Sequence, residues 1–408
     1  MFNNKITYLL VFVLICFTSV PAFASDSIYV WSDNSNTDVV TTSALVGTRE
    51  GNFLNLTCGG ALLMEQSTGA ILYEHNSHEQ LRPASVTKVM TILLIMEALD
   101  SGVISLEDSV SCSQNAASMG GSQIWLDTTE TLTVNEMLKA ICVVSANDCC
   151  VAMAEHISGS QELFVEQMNK RAKELGMNDT CFKNCHGIDE DGHVTSAYDI
   201  ALMSRELMIN HPSITNYTTI WMDSLRGGES ELVNTNKLLR NYNGCTGLKT
   251  GSTSTALFNL SATATRDNLS LIAVVMRGET SNIRFEEAKK LLDYGFSNFE
   301  YYKYSNKGDI VKNILVNKGT SDTLEIIFEK DSGALIPKGQ SSNITTTIVL
   351  PEIVEAPVVQ GQKIGEVVFN LGDETLGTIN LIANSTIKKL NFGNMLSAVV
   401  ENWFTLIR

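Results

Sequence analysis

The stretch Pro83-Ala84-Ser85-Val86-Thr87-Lys88 constrains the fold more than any other part of the chain. An apolar run over residues 89–96 follows at once and predicts a largely buried helix. Pro83 suits the start of that helix, so Ser85 is expected in its first turn. Residues three apart lie on one helix face, so the Lys88 amine can reach the Ser85 hydroxyl and accept its proton. Ser85 is therefore predicted to be a nucleophile and Lys88 its base.

Two further motifs strengthen this interpretation. The pattern S-x-x-K alone is weak, because Ser385-Thr386-Ile387-Lys388 also matches it where nothing else suggests catalysis. Ser145-Ala146-Asn147 lies between two predicted apolar helices, where its side chains could face a cleft or only link the helices. Lys249-Thr250-Gly251 occurs once and enters strand-like sequence. The order and spacing of the three motifs make the set specific.

The three motifs together resemble those of the penicillin-recognising serine enzymes. The order of elements, with segments such as residues 234–239 and 260–265, is more narrowly similar to the low-molecular-mass penicillin-binding proteins that are D-alanyl-D-alanine carboxypeptidases, a serine peptidase family. The resemblance covers roughly residues 58–390. It implies an α/β (α+β) catalytic domain, in which an antiparallel sheet carries a helical subdomain, then a small all-β domain and a C-terminal amphipathic helix. No cofactor and no metal are implied.

The resemblance also implies catalytic roles. Ser85 attacks the penultimate D-Ala carbonyl of a peptidoglycan pentapeptide stem, and Lys88 serves as its base. Ser145 relays a proton toward the leaving D-Ala. β-lactams mimic the D-Ala-D-Ala amide and are expected to acylate Ser85. An unperturbed lysine titrates near 10.4, so the pKa of Lys88 must be lowered by burial and by the nearby charge of Lys249.

A second group of residues is implied in substrate binding: Asn147, Lys249, Thr250, Gly251, Ser252 and Arg284. Asn147 orients the substrate amide, and Lys249 and Thr250 recognise the terminal carboxylate. Gly251 is expected to let a ligand backbone approach closely. The backbone N–H groups of Ser85 and Ser252 form the oxyanion hole. Arg284 is a second carboxylate ligand or, alternatively, forms a salt bridge in the helix that it begins.

Composition bounds the class of protein. The chain has 408 residues, enough for two domains, and 44% hydrophobic with 18% charged residues is an ordinary globular balance. The formal net charge of −16 argues against nucleic-acid binding and against simple electrostatic adhesion to acidic polymers. Oligomeric state is not predicted.

The sequence predicts five segments: a signal peptide over 1–24, a polar leader over 25–57, the catalytic domain over 58–299, a β-rich domain over 300–383 and an amphipathic helix over 384–408. A signal anchor is the alternative for the first segment. The last helix has one apolar and one polar half, so it should lie in a membrane interface rather than cross it. Packing on the β domain is its alternative. Together these segments predict an exported enzyme at the outer face of the cytoplasmic membrane.

Cysteines give little chemical information. Eight remain after residue 24, and a large exported domain has enough core to leave them unpaired and buried. Cys181, Cys185, His186 and His193 could suggest zinc, but their spacing fits no common site. Three alternatives to the carboxypeptidase remain open: a serine β-lactamase, a transpeptidase, and a non-catalytic penicillin sensor.

Overall fold

The computed structural model describes residues 49–50, 52–391 and 393. The predicted signal peptide and most of the predicted C-terminal helix lie outside these residues. The strands are β1 Arg49–Glu50, β2 Gly60–Glu65, β3 Ile71–His75, β4 Ser109–Ser111, β5 Thr131–Thr133, β6 Met222–Leu225, β7 Ser230–Val233, β8 Cys245–Thr253, β9 Leu257–Arg266, β10 Leu269–Gly278, β11 Phe299–Ser305, β12 Ile310–Asn317, β13 Thr323–Phe328, β14 Ser332–Pro337, β15 Ile344–Val349, β16 Ile353–Glu355, β17 Lys363–Leu371 and β18 Glu374–Ala383. The α-helices are α1 Lys88–Asp100, α2 Gln114–Ala117, α3 Val134–Val143, α4 Asn147–Ser158, α5 Gln161–Glu174, α6 Ala197–Asn210, α7 Thr215–Thr218, α8 Leu238–Asn241 and α9 Ser281–Asn298.

The central sheet has the strand order β1-β3-β2-β10-β9-β8, and β1 is parallel to β3 while the other pairs are antiparallel. Alternate residues of a strand point to opposite faces. Leu62 and Met64 of β2 therefore pack into the core shared with the helical region, and Ala61 and Leu63 pack into a second core with α9. The sheet is buried on both faces, and β8 is left at one edge of it.

Helix ends follow local capping chemistry. Thr133 and Glu136 form a reciprocal capping box at the start of α3, as the sequence predicts. Helix α4 ends at Gly159 in the left-handed region with φ 81°. Residues 144–146 connect the end of α3 to the start of α4 and carry Ser145.

The C-terminal region is all-β, as expected from the sequence. Its larger sheet has the order β15-β17-β18-β13-β12-β16, and β11 pairs with β14. Alternating residues such as Ile314, Val316, Leu324 and Ile326 form a separate core. The hairpins predicted around residues 60–75 and 245–276 are also present.

Two predicted segment limits differ from the elements of the structure. The sequence predicts a polar leader up to residue 57, but β1 pairs with β3, Leu56 is buried and the Asn52 side chain bonds the Leu56 backbone. The sequence predicts the C-terminal helix from residue 384, but Ile387 is buried in the β core and bridges Val358. A single core residue in a polar or basic segment cannot be predicted from the sequence, because one buried side chain does not create a periodic pattern.

Candidate active site

Ser85 lies on a tight turn at the end of the sheet. Residues Ala84–Thr87 form a 3₁₀ turn, and the α-helix itself begins at Lys88. The sequence instead predicts Ser85 within the first turn of that helix. The backbone of Ala84 has φ +48°, a strained value for a residue with a side chain. This turn presents the half-buried Ser85 hydroxyl at the head of α1.

Two glycines allow neighbouring segments to pack against this turn. A Cβ on Gly187 would lie 1.9 Å from the Ala84 carbonyl oxygen. A Cβ on Gly251 would lie 2.9 Å from the Ser85 nitrogen. The prediction that Gly251 gives room to a ligand backbone therefore has a different physical basis here: the room is occupied by the nucleophile turn of the protein itself. Gly251 brings the edge strand β8 against Ser85.

The Lys88 amine is buried and fully engaged. Its Nζ lies 3.0 Å from Ser85 Oγ, and it donates to Asn147 Oδ1 at 2.6 Å and to the His186 carbonyl at 2.7 Å. A neutral amine has two N–H donors and one lone pair. Because two carbonyl oxygens can take both donors, the third position, toward Ser85, suits the lone pair.

Both lysines of the site have lowered pKa values. Burial lowers the pKa of Lys88. Burial, and then the charge of Lys88, lowers the pKa of Lys249 to about 7. The sequence predicts that the charge of Lys249 helps to lower the pKa of Lys88. In the structure, burial lowers the pKa of Lys88, and the charge of Lys88 instead lowers the pKa of Lys249. Two cations buried in one site cannot both stay charged without a large desolvation cost.

The Ser145-Ala146-Asn147 motif faces this site. Ser145 has φ +65°, and its buried Oγ has no hydrogen-bond partner among the described residues. Asn147 begins α4, and its side chain bridges Lys88 and the Gly120 carbonyl, to which Nδ2 donates at 2.7 Å. Asn147 thus orients the base, and both ends of its side-chain amide are engaged.

The edge strand β8 carries the third motif. Lys249 is buried and donates to the Thr250 carbonyl at 2.9 Å, while Ser252 is exposed. The hydroxyls of Thr250 and Thr235 are 2.6 Å apart. Thr235 also lies beside α3, because its N–H donates to the Val143 carbonyl at 3.2 Å. The edge strand, the helical region and the nucleophile turn therefore meet at this point.

Arg284 supports β8 from behind. Its Nη1 donates to the Gly251 carbonyl at 3.1 Å and to the Asn259 carbonyl at 3.3 Å. It is buried, and burial lowers its pKa to about 10. No carboxylate pairs with Arg284 among the described residues, so the alternative of a salt bridge within its own helix is wrong. The guanidinium charge is left beside the backbone of Gly251.

The sequence interpretation missed several groups at the site. The carbonyls of His186 and Gly120 are backbone acceptors, and every residue type has a backbone carbonyl, so the sequence gives no signal for them. Thr235 lies in residues 234–239, which in the sequence indicate only the family resemblance. Gly187 follows His186, which belongs to the zinc site that the sequence spacing does not support. His186 and His193 have structural contacts: His186 Nδ1 accepts from the Ile188 N–H, and His193 bridges Thr87 and the Lys183 backbone.

Known proteins match both parts of the chain. The D-alanyl-D-alanine carboxypeptidase family matches residues 47–280, and the C-terminal domain of penicillin-binding protein 5 matches residues 299–389. The chain belongs to the D-alanyl-D-alanine carboxypeptidase family. It is a serine-type D-Ala-D-Ala carboxypeptidase with the penicillin-binding-protein fold, and the resemblance seen in its motifs is confirmed.

Individual relatives cover most of the chain. The D-alanyl-D-alanine carboxypeptidase DacF of Bacillus subtilis is 43% identical over 347 residues, which is 84% of this chain and 89% of that protein. The crystal structure of penicillin binding protein 5 from Haemophilus influenzae is 33% identical, with a TM-score of 0.67 over 82% of this chain and 98% of that one. Penicillin-binding protein D2 of Listeria monocytogenes, solved in an ampicillin-bound form, is 30% identical, with a TM-score of 0.55 over 60% of this chain and 99% of that one.

In the described part of the chain, the eight cysteines are all unpaired, and six of them are buried. No helix there has the length and apolarity needed to cross a membrane.

Proposed function

We propose that this carboxypeptidase removes the terminal D-Ala from peptidoglycan pentapeptide stems through an acyl-enzyme on Ser85, with Lys88 as the base. The observation that carries this proposal is the Lys88 amine, whose two other partners are the carbonyl oxygens of Asn147 and His186. They leave the lone pair directed at Ser85 Oγ, 3.0 Å away. Burial lowers the pKa of Lys88, so the neutral base is accessible closer to neutral pH.

Ser145 is proposed as the proton relay to the leaving D-Ala. Its buried, unpartnered hydroxyl is the kind of group that a substrate amine would satisfy. Its left-handed backbone is typical of strain kept at a functional position. We propose that Asn147 keeps the Lys88 amine in place and contacts the substrate amide once substrate displaces one of its present partners.

The terminal carboxylate is proposed to bind along β8. Lys249 gives the positive potential and the Thr250 hydroxyl donates to the carboxylate, while the backbone N–H groups of Ser85 and Ser252 stabilise the oxyanion. Arg284 is proposed to act through its unpaired charge and through the Gly251 carbonyl that it holds. The nearby positive charges explain why a free C-terminal carboxylate would be selected.

β-lactams are proposed to acylate the same serine, as the ampicillin-bound Listeria relative suggests by similarity. The test is release of D-Ala from a synthetic pentapeptide ending in D-Ala-D-Ala, together with the intact mass after penicillin treatment. The wild type should release one D-Ala for each peptide and gain one adduct, and Ser85→Ala should do neither. Ser385→Ala, in the second S-x-x-K match, is the matched control and should behave as the wild type. An adduct on Ser85→Ala would refute the nucleophile assignment.

The same experiment separates the alternatives when penicillin hydrolysis is also followed and an amine acceptor is added. A β-lactamase would turn over penicillin in the steady state, and a transpeptidase would pass the acyl group to an added amine instead of to water. A sensor would form the adduct without releasing D-Ala. Only rapid D-Ala release with a slowly hydrolysed penicillin adduct fits the proposed function.

We also propose export by the segment over residues 1–24 and attachment to the outer face of the cytoplasmic membrane by the C-terminal segment. Because Ile387 belongs to the β core, the membrane segment is proposed to begin after Leu390. The mature protein should float with liposomes, also at high salt, since few basic residues lie near its end. A variant ending at Leu390 should not float, and equal behaviour of the two proteins would rule out the attachment.

A further inference from the structure

Trp125 is the most exposed of the large apolar side chains that the structure describes, with 78% of its surface accessible. Its backbone has φ +60°, which is a genuine outlier for a bulky residue. Exposing an indole and straining its backbone both cost free energy. Within the described residues, no aromatic ring or cation contacts this indole. The fold therefore presents most of the ring outward, and no ring stacking or cation–π contact among the described residues offsets the cost.

The backbone on both sides of Trp125 is fixed. One buried carboxylate oxygen of Asp148 accepts the N–H of Ile124 at 3.0 Å and the N–H of Leu126 at 3.1 Å. Arg226 donates to the Ile124 carbonyl at 2.9 Å and forms an ion pair with Glu130. An exposed ring held on such a support is preorganised, because binding a ligand would cost little ordering of the loop.

The same loop borders the active site. Asn147, the residue before Asp148, bonds the Gly120 carbonyl through its side chain and the Ser122 carbonyl through its N–H at 2.7 Å. Trp125 comes three residues after Ser122, which is at most about 11 Å of extended chain. The part of a peptidoglycan stem between the cleaved bond and its sugar is about four residues, or about 14 Å when extended. The chain between Ser122 and Trp125 is therefore no longer than the stem between the cleaved bond and its sugar, so both lengths are of one scale.

The loop over residues 119–126 contains no charged residue: Met119-Gly120-Gly121-Ser122-Gln123-Ile124-Trp125-Leu126. Stem peptides carry carboxylates and, often, an amine, and such groups call for opposite charges. A neutral, N-acetylated sugar instead presents an apolar ring face and uncharged polar groups, which fit an indole beside small polar residues. Resting on the proposed function, we propose that Trp125 stacks on a sugar ring of the peptidoglycan strand whose stem is bound at Ser85.

The experiment compares three reactions of the full-length protein: penicillin acylation, D-Ala release from the sugar-free pentapeptide, and D-Ala release from the same pentapeptide attached to its disaccharide. Trp125→Gly removes the ring and also relieves the strained backbone, because glycine accepts φ near +60°. Its thermal stability should be equal to or higher than that of the wild type. Only the reaction of the disaccharide substrate should change: its kcat/KM should be about tenfold lower, through a raised KM.

Two further variants sharpen the comparison. Trp125→Phe keeps an aromatic face and should recover most of the activity on the disaccharide substrate. Val103→Ala removes another exposed apolar side chain, 67% exposed, and should change none of the three reactions.

Three results would overturn the proposal: equal kcat/KM of the wild type and Trp125→Gly on the disaccharide substrate, an equal loss on the sugar-free peptide, or a loss of penicillin acylation. In each case the wild type still releases D-Ala, so the proposed function stands. Absence of D-Ala release by the wild type would instead refute the proposed function itself.

Discussion

Replacing Lys249 by methionine should make the protein more stable and less active. Methionine has a similar length without the charge. Among the described residues, the Lys249 amine has no carboxylate partner and donates only to the Thr250 carbonyl. Removing one buried cation removes its desolvation cost and its repulsion from Lys88. Acylation should fall sharply, because the positive potential that we propose for carboxylate binding is lost.

The size of the stability gain follows from the pKa of Lys249, which lies at about 7 instead of the ordinary 10.5. At about 1.36 kcal/mol for each pH unit, this difference is worth up to about 5 kcal/mol, and relaxation of the site could reduce it to about 2 kcal/mol. Between pH 7 and 10.5 the unfolded chain binds the proton that the folded lysine has released. Wild-type stability therefore rises with pH in this window, and the penalty is complete below pH 7 and absent above 10.5.

Thermal unfolding at several pH values measures this effect. Lys249→Met should melt about 5–10 °C above the wild type near pH 7, and the two melting temperatures should converge as the pH approaches 10. Lys237→Met, at an exposed lysine in the same part of the chain, should show no such pH-dependent difference. A difference that stays constant between pH 7 and 10, or a variant less stable than the wild type at pH 7, would refute the buried-charge reasoning.

Three further predictions concern the support of the nucleophile and the thiols. Asn147→Ala removes the acceptor that holds the Lys88 amine, so penicillin acylation should fall by about 10²-fold, measured by stopped-flow, with little change in fold. Gly187→Ala should abolish acylation and lower the melting temperature, because its Cβ would lie 1.9 Å from the Ala84 carbonyl, whereas Gly120→Ala has open space and should acylate normally. Thiol labelling by iodoacetamide at neutral pH should modify at most two of the eight cysteines after residue 24 in the native protein and all eight in urea, since six are buried and burial raises the pKa of each of these six.

The sequence alone determined the chemistry and its order along the chain. Ser85 and Lys88 are three residues apart in a segment predicted to be helical. Although Ser85 lies in the 3₁₀ turn before α1, the same spacing brings the reactive atoms of the two side chains to 3.0 Å. The hairpins and the main helices follow from periodic apolar patterns that local propensity and burial both favour. Motif resemblance supplied the family, which the comparisons confirm.

Only the tertiary structure decided what surrounds the base. The two carbonyl oxygens that hold Lys88 come from residues 59 and 98 positions away, and one belongs to the backbone, which carries no sequence signature. Gly251 and Gly187 have their meaning only because distant segments pack against one turn. The burial of Ile387 in a mainly polar segment and the exposure of Trp125 also depend on tertiary packing, because residue type alone does not fix how exposed a side chain is. Local periodicity fixes which residues share a face, but burial, pKa and hydrogen-bond partners depend on contacts between segments far apart in the chain.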